Sequence, residues 1–118
     1  MQVGIGNHEY DHNVGGEKDP SGAPVPGGFQ PSWGNFNSND SNGECGVPMV
    51  RRFHMPDNGR GIFWYSFNYG TVHITHLSTE HDFFPGSPQY EWMISDFAAV
   101  DRSVTPWLIL AGHRCVRT

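Results

Sequence analysis

Dense apolar stretches crowd the second half of the chain, whereas residues from about Asn13 to Gly46 carry only Phe29, Trp33 and Phe36 as large apolar anchors. Ile62 to Phe67 and Thr71 to Leu77 are rich in aromatic and β-branched residues and flank Asn68-Tyr69-Gly70, which predicts a β-hairpin. In the second arm Val72, Ile74 and His76 alternate with Thr71, His73, Thr75 and Leu77. His73 and His76 therefore face opposite ways and cannot share one ion through strand geometry. Ser87 suits a helix cap and Pro88 the first helical position. Tyr90, Met93, Ile94, Phe97 and Val100 then form one stripe, read as core packing, with Ser95, Asp96 and Asp101 mostly off it. Trp107-Leu108-Ile109-Leu110-Ala111 is a continuous apolar run, the signature of a strand buried on both faces. Met1 to Gly6 reads as the tail of another strand, Val50 to Phe53 as a short helical or extended piece, and Met55 to Gly59 as a turn cluster.

The order strand, helix, strand from Thr71 to Ala111 makes a βαβ crossover, and the fold class is α/β. Loops after parallel strands gather at one sheet edge. Two strand ends carry a glycine followed closely by a histidine, Gly6-Asn7-His8 and Gly112-His113, so Asn7, His8, His81 and His113 are expected to converge there. Asn7 offers a neutral carbonyl oxygen to a divalent ion, and His8 a ring N–H to an oxyanion. Taken alone, Asn7-His8 also fits ordinary turn chemistry, with Glu9 and His12 as polar loop neighbours. His81 lies between Glu80 and Asp82, which favours a charged imidazole, and the same run fits a hydrated loop.

Composition narrows the partners. At 118 residues, with 36% hydrophobic residues, 15 Gly and 9 Pro, the chain is the size of one small domain with a modest core and many loops. A net charge of −5, with no basic cluster beyond Arg51-Arg52, argues against nucleic acid and anionic membranes as partners. No apolar run approaches the roughly 20 residues of a membrane span, and Met1-Gln2-Val3 does not open a signal peptide. Cys45 and Cys115 allow a single bridge or two free thiols, and neither belongs to a CxxC pair. Asn39-Asp40-Ser41 matches a glycosylation acceptor.

Gly6-Asn7-His8-Glu9, Gly43-Glu44-Cys45-Gly46-Val47-Pro48, Phe63-Trp64-Tyr65-Ser66, Gln89-Tyr90-Glu91-Trp92, and Thr105-Pro106-Trp107-Leu108 leading to Gly112-His113-Arg114 follow one another along nearly the whole chain. In that order they resemble the purple acid phosphatases, of the calcineurin-like metallophosphoesterase superfamily. The resemblance implies a partial calcineurin-like β-sandwich with flanking helices and a dinuclear metal centre of iron with zinc, manganese or iron. It also implies hydrolysis of small phosphate monoesters and a secreted or vacuolar setting. Asn7 and His113 are implied ligands of the divalent ion, and His8 is an implied catalytic group at the phosphate or leaving group. His81 and Arg114 are candidates for phosphate contact or support, with Arg114 favoured as a brace of its loop.

The family's earlier aspartate motifs, including the tyrosine bound to ferric iron, and its later Gly-His-x-His element have no counterpart in these residues. The whole of 1–118 is therefore expected to be part of a larger catalytic domain, with a long loop at about 13–46. Two other functions stay open at this point: a related metallophosphoesterase acting on diesters or nucleotide pyrophosphates, and a binding module that has lost the metals.

Overall fold

The structure, a computed structural model, describes residues 1–10 and 45–115. The long loop, His12 and the Asn39 acceptor pattern lie outside the described residues. Five elements follow one another: α1 (Val47–Arg52), β1 (Tyr65–Tyr69), β2 (Val72–His76), α2 (Pro88–Ala99) and β3 (Trp107–Ala111). The strands form one mixed sheet in the order β1-β2-β3, a hairpin continued by a parallel βαβ unit.

The hairpin forms with a shifted turn. Tyr69 pairs with Val72, so Asn68 and Tyr69 belong to β1 and the loop is Gly70-Thr71. Ile62, Phe63 and Trp64, expected in the first arm, instead join Ile5, Tyr10 and Cys45 in a buried cluster, against which Val47, Met49, Val50 and Phe53 of the α1 region pack. Burying three consecutive large side chains requires cover on more than one side, and a cluster beside the sheet provides it where one sheet face cannot.

The expected strand at Met1–Gly6 takes no place in the sheet. Its backbone is tied by side chains: the Tyr65 hydroxyl donates to the Val3 carbonyl at 2.8 Å, and Val3 N–H points at the Met55 sulfur at 3.5 Å. Burial pushes the Tyr65 phenol up, partly offset by that bond to Val3. Ile5 is fully buried all the same, which fixes the direction in which the chain enters Gly6.

α2 begins as its sequence signals: the Ser87 hydroxyl accepts from Tyr90 N–H at 3.2 Å, with Pro88 in the first turn. Its inward face differs from the apolar stripe. Gln89 is its only buried residue, while Ile94 is 45% exposed. Asp96, off the stripe, turns inward because the sheet face opposite is lined with donors. Ser66 on β1 donates to its Oδ1 at 2.5 Å, Thr75 on β2 donates to its Oδ2 at 2.9 Å, and His73 Nε2 lies 3.0 Å from the same oxygen. His73 Nδ1 meets Asn68 Oδ1 at 2.7 Å. Gln89 closes the top of this layer, its amide donating to the carbonyls of Ser78 and Asp82 and accepting from Ser78 N–H.

β3 has the expected bounds, but Trp107, Leu108, Ile109 and Leu110 are 67%, 38%, 50% and 52% exposed. The apolar run makes the strand suitable for burial on both faces, yet among the described residues β3 pairs only with β2 and α2 leaves much of it uncovered. His73 and His76 do face opposite ways, His73 towards Asp96 and His76 stacked on Tyr65 with ring centroids 5.3 Å apart. Cys45 is buried and Cys115 exposed, and no disulfide joins them. Among the described residues no helix is long and apolar enough to cross a membrane.

Candidate metal centre

Asn7 stands on a tight turn. The Gly6 carbonyl accepts from the amides of Glu9 and Tyr10, each at 3.1 Å, and Gly6 N–H donates back to the Glu9 carboxylate at 3.1 Å. The second bond matches one half of a capping box, a carboxylate satisfying the backbone amide three residues earlier, while the Gly6 carbonyl takes the part of the missing cap side chain. It leaves the Asn7 amide at the outer bend of the turn, half-buried, and His8 exposed beside it.

His113 comes to the same place from the far end of the chain. β3 runs parallel to β2 and delivers Gly112-His113 past the edge of the sheet, where Nε2 of His113 meets Oδ1 of Asn7 at 2.8 Å. The approach depends on Gly6, since a Cβ there would lie 3.0 Å from His113 ring atoms, closer than ordinary contact.

An amide oxygen and an imidazole nitrogen thus aim at one another over a distance a shared cation also fits. Neighbouring ligands of an octahedral ion held at about 2.1 Å stand about 3 Å apart. A divalent ion would replace the proton the two atoms share. Among the described residues there is no group of three or more His, Cys, Asp or Glu placed to hold a metal, so the two residues alone could supply only part of a coordination shell.

His81 goes elsewhere. It is fully buried, with its ring 4.3 Å from that of Tyr10, 5.1 Å from Phe63 and 5.4 Å from Trp64, and its Nδ1 is 2.7 Å from the Ser78 hydroxyl. The carboxylate of Glu80, expected to favour a charged His81, turns instead to Arg114. Arg114 Nε and one terminal nitrogen donate to its two oxygens at 2.6 and 3.0 Å, a bidentate fork whose acidic partner is fully buried. The structure therefore brings Asn7, His8 and His113 to one edge, places Arg114 beside them on Glu80, and puts His81 in the core.

Glu9, Thr79 and Glu80 support this edge; the sequence set them within its two candidate loops without giving them a role of their own. For Glu9 the signal was present in its spacing from Gly6. For Glu80 and Arg114 it was only a pair of opposite charges, each at a strand end and far apart in sequence.

No family model matches the chain. Probable inactive purple acid phosphatase 9 of Arabidopsis thaliana is 37% identical over 128 residues, covering 98% of this chain and 18% of that protein. A nucleotide pyrophosphatase/phosphodiesterase of Hordeum vulgare is 38% identical over 112 residues, covering 95% of this chain and 26% of that one. Among solved structures, purple acid phosphatase PPD1 from yellow lupin (Lupinus luteus) seeds matches with a TM-score of 0.68 and 37% identity, over 94% of this chain and 16% of the lupin chain. The three-stranded mixed sheet with its crossover accords with the class these likenesses define, a metallophosphoesterase of calcineurin-like fold. Within that class, the chain belongs to the purple acid phosphatases. It spans between 16% and 26% of the length of these three proteins.

Proposed function

We propose that this chain contributes the divalent-ion side of a dinuclear centre, iron with zinc, manganese or iron, that hydrolyses small phosphate monoesters. The observation that carries the reading is the contact between Asn7 Oδ1 and His113 Nε2, residues 106 positions apart. On this reading Asn7 and His113 supply two of the ligands of that ion. When bound, such a centre supplies an activated nucleophile and positive charge for the phosphoryl oxygens.

The chain's own residues divide the rest of the work. Asn7 holds a cation without adding negative charge beside an incoming phosphate. His8, exposed and next to Asn7 in the turn, donates a proton to the ester oxygen that leaves. Arg114, engaged by Glu80, keeps its loop in place rather than meeting the phosphate.

The barley relative favours a second reading, in which the same edge serves phosphodiesters or nucleotide pyrophosphates. A substrate panel separates the two. The protein expressed with its natural flanking sequence and supplied with Fe and Zn or Mn is assayed on p-nitrophenyl phosphate, its bis ester and a nucleotide pyrophosphate. Fastest turnover of the monoester supports the proposal, fastest turnover of either other substrate moves it to the second reading, and failure to bind metal or cleave any of them identifies a module that has lost the centre.

A further inference from the structure

We propose that Thr79 and Glu80 are positioning residues for His113, acting from the loop after β2 on the loop after β3; the proposal rests on the metal reading above. The two parallel strands stay in step to their ends, where Leu77 N–H donates to the Ala111 carbonyl at 2.8 Å. Beyond that bond the sheet no longer fixes the chain, and His113 itself is exposed. Its neighbours on both sides are held. Gly112 packs on the Thr79 methyl so closely that a Cβ would come within 3.1 Å. On the other side, Arg114 N–H donates to the Thr79 hydroxyl at 3.2 Å, and the Arg114 guanidinium forks onto Glu80 at 2.6 and 3.0 Å. The Thr79 hydroxyl also points at Glu80 Oε1 at 3.5 Å, joining the two anchors. Thr79 is 2% and Glu80 0% exposed, so an exposed imidazole takes its direction from two buried anchors.

Stability alone gives a poor reason for the pair. Apolar side chains of similar volume commonly replace a buried ion pair without loss of stability. A bidentate fork adds a geometric specificity that apolar contact lacks, and with the Thr79 hydroxyl on Arg114 N–H it ties the residue after His113 at two points. Oriented ligands bind metal more tightly, and loss of supporting hydrogen bonds typically lowers metal affinity about 10- to 100-fold.

The test uses the protein with its natural flanking sequence, Zn2+ titrated into the metal-free form, and melting followed in parallel. Thr79→Val keeps the methyl on Gly112 and removes the hydroxyl. Arg114→Lys keeps the charge beside Glu80 and removes the fork. Glu80→Met combined with Arg114→Met removes both charges together. Each folded variant is expected to bind Zn2+ about tenfold more weakly than the parent, with kcat for p-nitrophenyl phosphate falling more than KM changes. Thr79→Ser, which restores the hydroxyl, is expected to recover most of the affinity lost in Thr79→Val. A folded Thr79→Val or Arg114→Lys variant that binds Zn2+ as the parent does would overturn the positioning role. A parent that binds no Zn2+ would overturn the metal reading itself and this role with it. If the double methionine variant unfolds, the two single variants decide.

Discussion

Between α2 and the sheet, Asp96 draws in Ser66, Thr75 and His73, and at the sheet edge His113 meets Asn7; both places are polar and both are built around a histidine. Their exposure and their accounting of donors differ. His73 is 7% exposed and both its ring nitrogens are engaged, one by Asn68 and one by Asp96, so its network closes on itself and holds helix to sheet. His113 is exposed, and the atom it faces is a neutral oxygen that can accept a cation in place of a proton. A closed polar network fixes a fold, whereas two convergent polar groups at an open edge are, on the function proposed above, a place for a ligand. The neighbours of His113, a glycine after an apolar run, mark it in the sequence, whereas those of His73 do not disclose its partner Asp96.

Removing the centre of each region should produce opposite losses. Asp96→Ala leaves three partners without their acceptor in a part-buried layer and should destabilise the protein by about 3 kcal/mol; urea unfolding measures it, and a change under about 0.5 kcal/mol would erase the contrast. Asn7→Ala should leave unfolding within about 0.5 kcal/mol. The same change should reduce divalent-metal affinity by about 100-fold, about 2.7 kcal/mol, as read by metal titration. A smaller loss is expected from Gly6→Ala, whose new methyl crowds the His113 ring; it should weaken metal binding about tenfold, about 1.4 kcal/mol, with the turn intact by circular dichroism.

The smallest effect concerns pH and belongs to neither region. Burial lowers the His76 pKa below its ordinary value of 6.5, since the neutral ring is favoured where it stacks on Tyr65 under Gly4. The unfolded chain therefore binds a proton more readily than the folded one. The stabilisation linked to His76 is full above about pH 6.5 and is lost as pH falls from there towards the lower folded value. His76→Phe should flatten that part of the stability profile, and denaturant unfolding at pH 7.5 and 5.5 shows whether it does.

The comparison also explains which parts of the molecule were legible in its sequence. Ser87 and Pro88 mark the start of α2 because capping is local chemistry, and the apolar run sets β3 to the residue. The apolar stripe did not give the inward face of α2. Asp96 turns in because Ser66 and Thr75 stand opposite it, and donors on two other elements leave no trace in helical periodicity. β3 shows the converse: hydrophobicity says what a strand can bury, and exposure of Trp107 and Ile109 shows that cover is a separate matter. The meeting of Asn7 and His113 was legible through a repeated pattern, an apolar run followed by a glycine and a histidine, although only the second run is a strand. The clamp of Thr79 and Glu80 on Arg114 was not, because its partners lie 34 or 35 positions apart and Glu80 had a nearer candidate in His81.

The claim that Asn7 and His113 hold one ion together is tested most directly by a double-mutant cycle on divalent-metal affinity. Asn7→Ala, His113→Ala and the combined variant are prepared in the protein with its natural flanking sequence and titrated with Zn2+ and Mn2+. Shared ligation predicts that each single change lowers affinity strongly and that the combined change costs well below the sum, because an ion deprived of one ligand gains little from the other. Single losses that simply add, or affinities that do not move, would contradict it.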